Sequence, residues 1–226
     1  MAPDMKSKQL KLLLNDFELL SQTALIQMQI ATKLLEDNTI TALYEEAKQN
    51  EIILDRLEIK IREEVVFTIF QFTPKASDLR QIITYQDITT NLERVGDMLL
   101  NIMHFICDTD LNHANFSETK KLVTKMLKEV SSMLRSAIFS FSAEDSPTAY
   151  QVIQDDDKVD NLFHEINTSL QQSFKGKALS EQEIKNIISV NALAHNLERI
   201  GDSATNIAEA TIYLTEGKDI RHGNSK

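Results

Sequence analysis

The sequence predicts an all-α protein of two tandem three-helix bundles, and three observations lead to this prediction. The 226-residue chain has only five glycines, three prolines and no tryptophan, so it carries few turn and sheet signals. Apolar residues recur at steps of three and four over long segments, which indicates amphipathic helices. The second half also repeats motifs of the first half at a fixed distance, which indicates an internal duplication.

Three apolar stripes predict the helices of the first half, at residues 10–35, 54–72 and 88–106. Thr73 and Pro74 end the second helix, because proline disfavours helical geometry in the residue before it. Ser77 or Asp78 is expected to cap the third helix. The polar segment 108–113 is the predicted boundary, so the two domains are placed at residues 1–110 and 111–226.

Three more helices are predicted in the second half. The fourth follows the apolar stripe 123–137, and Ser146-Pro147 opens the fifth, since proline suits the first turn of a helix. Gly176 separates the fifth helix from the sixth. Gly217 is expected at the C-terminal cap of the sixth helix, ahead of a short polar tail.

Charge and cysteine content limit the function classes. A net charge of −10 argues against nucleic acid, whose binding depends on basic patches. The single cysteine, Cys107, cannot form an internal disulfide, which fits a cytoplasmic protein. No apolar run reaches the roughly 18 to 20 residues that span a bilayer, and the N-terminus does not resemble a signal peptide. Contact with a membrane is therefore expected only through partners.

The internal repeat has a constant spacing of 105 residues. Leu92-Glu-Arg-Val-Gly-Asp97 recurs as Leu197-Glu-Arg-Ile-Gly-Asp202, and Asp78-Leu-Arg80 aligns with Glu183-Ile-Lys185. Short connections allow each half to close as an up-down-up bundle with antiparallel neighbours. The same register does not extend through the first and fourth helices. We therefore predict an inserted or deleted turn before the second or the fifth helix.

Four motifs place two acids four residues apart, which puts both acids on one face of a helix. Like charges in this arrangement repel by roughly 0.2 to 0.5 kcal/mol per pair, so their fourfold recurrence needs a physical reason. The acids are Glu51, Asp55, Glu93, Asp97, Asp156, Asp160, Glu198 and Asp202.

Hairpin geometry brings the pairs of each half to one height. The first pair lies about 22 residues before the turn near residue 75 and the second about 20 after it, so both lie roughly 30 Å from the turn. Four carboxylates of each half can therefore converge. Such oxygen clusters suit hard cations such as Mg²⁺, Mn²⁺ or ferric iron, and Zn²⁺ stays open. Asn101 and Asn206, one turn further, can orient ligands or bind through water.

Two alternative roles of the acids also stay open. They can form a solvated face that Arg94, Arg199 and nearby lysines neutralise, or a metal-free adaptor surface for a basic partner. Carboxylate-bridged metals in helical bundles also perform oxygen chemistry. Such enzymes usually carry Glu-x-x-His on two helices, and neither half has this pattern, so no enzymatic activity is expected.

Two glycines and two histidines lie within the repeat. Gly96 and Gly201 cost about 1 kcal/mol each relative to alanine inside a helix. Each is expected to permit the close approach of a neighbouring helix or ligand, with packing as the simpler interpretation. His164 and His195 have no counterpart in the other half, and we interpret both as incidental.

In combination the motifs resemble the PhoU family over nearly the whole chain. The motifs are Phe72-Thr-Pro-Lys-Ala-Ser-Asp-Leu-Arg80, Leu92-Glu-Arg-Val-Gly-Asp97, Asp156-Asp-Lys-Val-Asp160, Leu197-Glu-Arg-Ile-Gly-Asp-Ser-Ala-Thr-Asn-Ile-Ala-Glu209 and Gly217-Lys-Asp-Ile-Arg-His222. The resemblance implies two three-helix bundles with pseudo-twofold symmetry. It also implies multinuclear metal sites on E/D-x-x-x-D motifs, whose positions the eight acids occupy.

The resemblance implies a regulatory role as well. Family members restrain the ATPase of a phosphate ABC transporter (PstB-like) and help a sensor histidine kinase (PhoR-like) repress the phosphate-starvation response. The resemblance is also compatible with a homodimer. Related bundles also occur as cytoplasmic domains of sodium-phosphate cotransporters, but the absence of a membrane segment favours a free-standing protein.

The sequence departs from the family pattern at a few positions. Asn91 and Asn196 stand where relatives often have an acid, two residues before the motif glutamate. His104 stands where the second half has Glu209. The two sites are therefore not expected to be chemically identical.

Overall fold

The computed structural model describes residues 5–111 and 113–220, apart from the side chains of residues 5–8, 10, 77 and 114. Residue 112 of the predicted boundary and residues 221–222 of the tail motif lie outside the described residues. The helices are α1 (Met5–Glu36), α2 (Thr41–Phe72), α3 (Ala76–Asp108), α4 (Ser117–Ser142), α5 (Ser146–Phe174) and α6 (Glu181–Glu216), with a 3₁₀ turn at Ala114–Phe116. No strand occurs in this part of the chain, which confirms the all-α prediction.

The six helices form two bundles side by side. Helices α1, α2 and α3 pack against one another, and α4, α5 and α6 do the same. The bundles meet where α3 lies against α6 and α1 lies against α4. Leucine, isoleucine, valine and methionine side chains on the predicted stripes fill a continuous core. The predicted pair of tandem three-helix bundles is confirmed, while the residue that divides them stays a prediction.

The duplication is visible in where the helices begin. α2 and α5 start 105 residues apart, and so do α3 and α6. The loop before α2 is residues 37–40, whereas the loop before α5 is residues 143–145. The buried stripes of α1 and α4 accordingly match at 106 residues, as Phe17 with Val123 and Leu20 with Met126 show. The change of register is thus one residue in a loop, not a whole turn.

Three predicted helix ends are confirmed. Thr73 closes α2 in the left-handed region at φ 43° before Pro74. The side chain of Asp145 caps α5 by accepting a hydrogen bond from the backbone N–H of Thr148, and proline occupies the first turn. Gly217 ends α6 at φ 70°, a conformation that costs glycine little.

The prediction for the start of α3 is wrong. The helix begins at Ala76, and the preceding Lys75 makes no side-chain capping bond. Asp78 lies inside the first turn, where its negative charge interacts favourably with the positive end of the helix dipole. The side chain of Ser77 lies outside the described residues. Lys75 is extended, and the helix begins at the next residue, before either predicted cap.

None of the helices in the described ranges combines the length and the apolar character needed to cross a bilayer.

Candidate metal centre in each bundle

The structure places the eight acids on two facing helix pairs. Those of the first half lie on α2 and α3, and those of the second half lie on α5 and α6. In every motif the first acid is the more enclosed: Glu51 is buried at 8% exposure. Glu93, Asp156 and Glu198 are half-buried, and the second acid of each motif is exposed. Each pair therefore has an inner and an outer carboxylate.

Glu51 is enclosed by α1 as well as α3. Gln27 of α1 donates its side-chain amide to the backbone oxygen of Ala47 at 3.0 Å and to Glu51 Oε2 at 3.5 Å. Asp97 of α3 lies close enough to Glu51 to raise the pKa of its carboxyl group. Glu51 Oε1 is buried and has no hydrogen-bond partner within the described residues. A buried carboxylate oxygen without a donor is a suitable position for a cation.

Burial and the crowding of acids raise the pKa of the two inner acids of the first site. Burial raises the pKa of Glu51 to about 8, and the neighbouring Asp97 and Asp55 contribute to the rise. Burial also raises the pKa of Glu93, with added repulsion from Asp97, Asp55 and Glu58. Without a cation, Glu51 therefore keeps a proton near neutral pH.

The second site shows the same effect more weakly. Burial raises the pKa of Asp156 to about 6, and Asp160 and Asp202 contribute to the rise while the nearby Thr205 hydroxyl opposes it. Burial likewise raises the pKa of Glu198, with repulsion from Asp202. The two bundles thus hold related sites with different proton affinities.

The arginines of the motifs do not neutralise the acids. Arg94 lowers the pKa of Glu93, and Arg199 lowers the pKa of Asp202, yet both carboxyl groups keep a pKa above the ordinary value. Burial and the neighbouring acids outweigh the arginines at both positions. On a solvated face whose arginines neutralised the acids, the pKa of these carboxyl groups would not be raised.

Gly96 allows α2 to approach the backbone of α3. A Cβ atom at this position would collide with Leu54 Cδ1 and lie 3.0 Å from Glu51 Oε2. The predicted close approach of a neighbouring helix is therefore confirmed here. Leucine packing and the carboxylate both occupy the space that the missing side chain leaves.

Gly201 has the same relation to α5. A Cβ atom here would lie 3.2 Å from Val159 Cγ1 and 3.5 Å from Asp156 Oδ1. In both bundles the motif glycine thus faces the first acid of the opposite helix. The glycine and the acids belong to one arrangement, and the sequence did not predict this link.

His195 is closer to the second site than the sequence predicted. Its Nδ1 atom lies 3.2 Å from Glu198 Oε2, and its ring lies 6.1 Å from that of Phe163. The interpretation of His195 as incidental therefore misses a direct neighbour of a site residue. Gln27, Glu58 and Thr205 are further neighbours that the sequence did not indicate.

The asparagines differ in their surroundings. Asn91 and Asn196 each donate the side-chain amide to the backbone oxygen four residues earlier. Asn101 and Asn206 are exposed, one turn beyond the acids. His104 is exposed on α3 and lies 4.0 Å from Asp108. The first pair therefore bonds to its own helix, and the second pair faces solvent.

The acids do not form a closed cage. Among the described residues, no three side chains of His, Cys, Asp or Glu stand together in a group that could hold a metal ion. In each bundle the outer acids add to the raised pKa of the inner acids, and the outer carboxylates are exposed. The oxygen donors fit a hard cation in chemical type. Metal binding by the eight acids stays a prediction.

Two tandem three-helix bundles, each with acids on two facing helices, define a class of duplicated all-helical proteins. The chain belongs to the PhoU domain family, which matches residues 17–106 and 123–211, one domain in each bundle. This confirms the resemblance seen in the motifs.

Similar proteins cover almost the whole chain. A phosphate-specific transport system accessory protein PhoU homolog from Burkholderia is 32% identical over 210 residues, 91% of this chain and 87% of that protein. The homolog from Aquifex aeolicus is 31% identical over 213 residues, 92% of this chain and 93% of that protein.

Solved structures agree with the fold. The crystal structure of PhoU from Pseudomonas aeruginosa has a TM-score of 0.83 at 25% identity and covers 94% of this chain and 99% of that one. The phosphate transport system regulatory protein PhoU from Streptococcus pneumoniae has a TM-score of 0.83 at 21% identity, which supports the fold alone.

Proposed function

We propose that the protein is a regulator of phosphate transport that restrains a phosphate ABC transporter and assists a sensor histidine kinase in repressing the phosphate-starvation response. The observation that carries this proposal is the match to phosphate-specific transport system accessory proteins along about nine-tenths of the chain. A protein of this repeated helical fold can regulate a partner through contacts made by its exposed helix faces. We propose no catalytic step.

We further propose that each bundle holds metal ions, Fe, Mn, Mg or Zn, between its two acid-bearing helices. Glu51, Asp55, Glu93 and Asp97 would hold them in the first bundle, and the counterparts 105 residues later in the second. When bound, a cation supplies positive charge that offsets the repulsion among these acids. The inner acids would hold the metal between the two helices of each pair, and the exposed outer acids would close the site on the solvent side.

Metal content is the direct test of this part. Elemental analysis of protein purified without chelators should find metal above background, and added metal should raise the melting temperature of the stripped protein. The variant Glu93→Gln/Asp97→Asn should lose much of this rise. Glu46→Gln/Glu165→Gln is the matched control, because it removes two exposed acids outside the motifs. An equal rise in both variants would exclude the proposed first site.

Partner binding tests the regulatory part. Asp202→Ala should weaken pull-down of the transporter ATPase or the sensor kinase, whereas Glu165→Ala on α5 should leave it unchanged. In cells, loss of the protein should release the phosphate-starvation response in phosphate-rich medium. A deletion strain with normal repression would contradict the proposed role.

A metal-free adaptor is the second candidate, and the exposure of the outer acids favours it. In this case the acids would contact a basic partner surface directly, so binding would weaken steeply with salt. Protein without metal above background, with pull-down that falls between low and physiological ionic strength, would support the adaptor over the metal site.

A further inference from the structure

A cavity of about 330 Å³ lies where the two bundles meet, between α1 and α3 of the first bundle and α4 of the second. We call it the seam cavity. The rings of Phe17, Tyr85 and Phe141 line it, and each pair of rings meets edge to face with centroids 5.1 Å apart. None of the eight motif acids is among the described residues of its lining. Small ligands often bind in apolar pockets at the junction of two domains, and this volume is at the lower end of their range.

The internal duplication provides a comparison for the seam cavity, because the other end of the seam has the equivalent position. There the space between the helices is only about 10 Å³, and Leu111 of the segment that joins the bundles contributes to its lining. Three further lining residues are Leu35, Glu36 and Lys120, which the 106-residue register relates to Phe141, Ser142 and Leu14 of the seam cavity. The repeated fold therefore does not require a cavity of ligand size at this position.

Ser21 of α1 is a buried polar residue in the wall of the seam cavity. It is 5% exposed, and its Oγ atom is buried without a hydrogen-bond partner in the part of the chain that the structure describes. The corresponding residue of α4 is Leu127, which is buried and needs no such partner. A buried hydroxyl without a partner is destabilising, so a ligand that hydrogen-bonds to Ser21 would recover this loss.

The charges at the seam cavity are negative. Glu18 is the one charged residue among the described residues that line it, and it lies one turn before Ser21 on the same face of α1. Burial raises the pKa of Tyr85 to about 12, and the nearby carboxylate of Glu144 adds to the rise. Both glutamates are exposed, and neither forms an ion pair with any residue that the structure describes. Carboxylates and aromatic rings both attract cations, so the charge of a ligand here should be positive.

We propose that the seam cavity binds a small amphipathic amine, an organic molecule with an apolar body and one ammonium group. The apolar body packs against the three aromatic rings. The ammonium group donates a hydrogen bond to Ser21 Oγ and lies beside the carboxylates of Glu18 and Glu144. Because the cavity has walls from both bundles, the bound amine stabilises the packing of one bundle on the other.

Phenethylammonium is a suitable probe for the full chain, because it combines one aromatic ring with one ammonium group. Ligand-detected NMR should give a Kd of about 1 mM or tighter, and saturating probe should raise the melting temperature. Phenylacetate carries the same ring with the opposite charge and should not bind. Butylammonium lacks the ring and should bind at least about tenfold more weakly. No binding of phenethylammonium, or equal binding of phenylacetate, would overturn the proposal.

Two variants test where the probe binds. Ser21→Leu introduces the residue type that α4 has at the corresponding position, so it should fill the cavity and abolish binding with unchanged helicity. Glu18→Gln/Glu144→Gln changes two exposed residues, so it should fold normally and weaken binding at least about fivefold. The matched control is Glu46→Gln/Glu165→Gln, which removes two exposed acids away from the cavity and should bind the probe as the wild type does. Full binding by either test variant, or an equal loss in the control, would contradict the assignment of the amine to the seam cavity.

Discussion

Glu51 is the most buried of the eight acids, and its environment favours the protonated form. The carboxyl group lies under Gln27 and beside Asp97, and its Oε1 atom has no hydrogen-bond partner among the described residues. The pKa of Glu51 is about 8 in the folded protein and 4.5 for an ordinary glutamate. Near neutral pH the folded protein therefore binds a proton that the unfolded chain has lost. Metal binding at neutral pH would therefore release a proton from this site.

This imbalance predicts the pH dependence of stability without metal. Between about pH 4.5 and 8 the folded state binds more protons than the unfolded state, so the free energy of unfolding should fall as pH rises. Glu51→Gln mimics the protonated group, so its free energy of unfolding should exceed that of the wild type by on the order of 4 kcal/mol at pH 8 and by much less near pH 5. Urea unfolding at both pH values measures the difference. A constant difference between the two proteins would contradict the assignment.

Gly96 and Gly201 differ in how tightly the opposite helix approaches. Gly96→Ala should lower the free energy of unfolding by about 1 to 3 kcal/mol, because the new methyl group collides with Leu54. The methyl group of Gly201→Ala would come no closer than 3.2 Å to Val159 Cγ1, so helix propensity should offset most of the cost. Thermal unfolding compares the two. Equal losses would show that the approach is not tighter at Gly96.

At the scale of helices, the two helix starts at α3 and α6 differ although their backbones agree. Ser180 forms a capping box with Glu183 at the start of α6, whereas Lys75 at the equivalent position caps nothing. Both residues are extended, with φ and ψ of −74° and 159° at Ser180 and −69° and 165° at Lys75. The second half therefore has a capping bond that the first half lacks.

A reciprocal pair of substitutions tests this difference. Ser180→Ala should cost about 1 kcal/mol of stability, because the N-terminal amides of α6 lose their acceptor. Lys75→Ser should instead raise the stability by up to about 1 kcal/mol, since the extended backbone already suits a cap. Denaturant unfolding of both variants gives the two signs. A loss of stability in Lys75→Ser would mean that the lysine has a stabilising role of its own.

Sequence patterns predicted the elements better than the contacts between them. Apolar periodicity located the helices, and Pro74, Pro147 and Gly217 located three of their ends, whereas α2 begins at Thr41, well before its predicted stripe. The site neighbours Gln27 and His195 were missed for a physical reason. Gln27 reaches Glu51 because α1 packs against α2, and His195 reaches Glu198 across one turn of α6. The apolar periodicity of the sequence does not indicate either contact. The one sequence signal for such a neighbour was Gln27, a polar residue inside the apolar stripe of α1.

At the scale of the whole molecule, the two bundles share an interface comparable with those inside each bundle. α3 lies along α6, and α1 also contacts α4. We therefore expect a single cooperative unfolding transition, with equal calorimetric and van't Hoff enthalpies. Leu54→Ala, which opens a cavity in the first bundle only, should lower this one melting temperature without splitting the transition. Two separate transitions would show that the bundles unfold independently.

The one-residue difference between the loops before α2 and α5 shows where this duplicated chain tolerates a change of length. One residue added within α2 or α3 would turn every later side chain of that helix by about 100°. The acids would then no longer point at the site, and the glycine and the core leucines would no longer point at the neighbouring helix. A loop absorbs the same insertion at little cost. Alignments of the two halves should accordingly show gaps in the connections and uninterrupted registers through the acid-bearing hairpins.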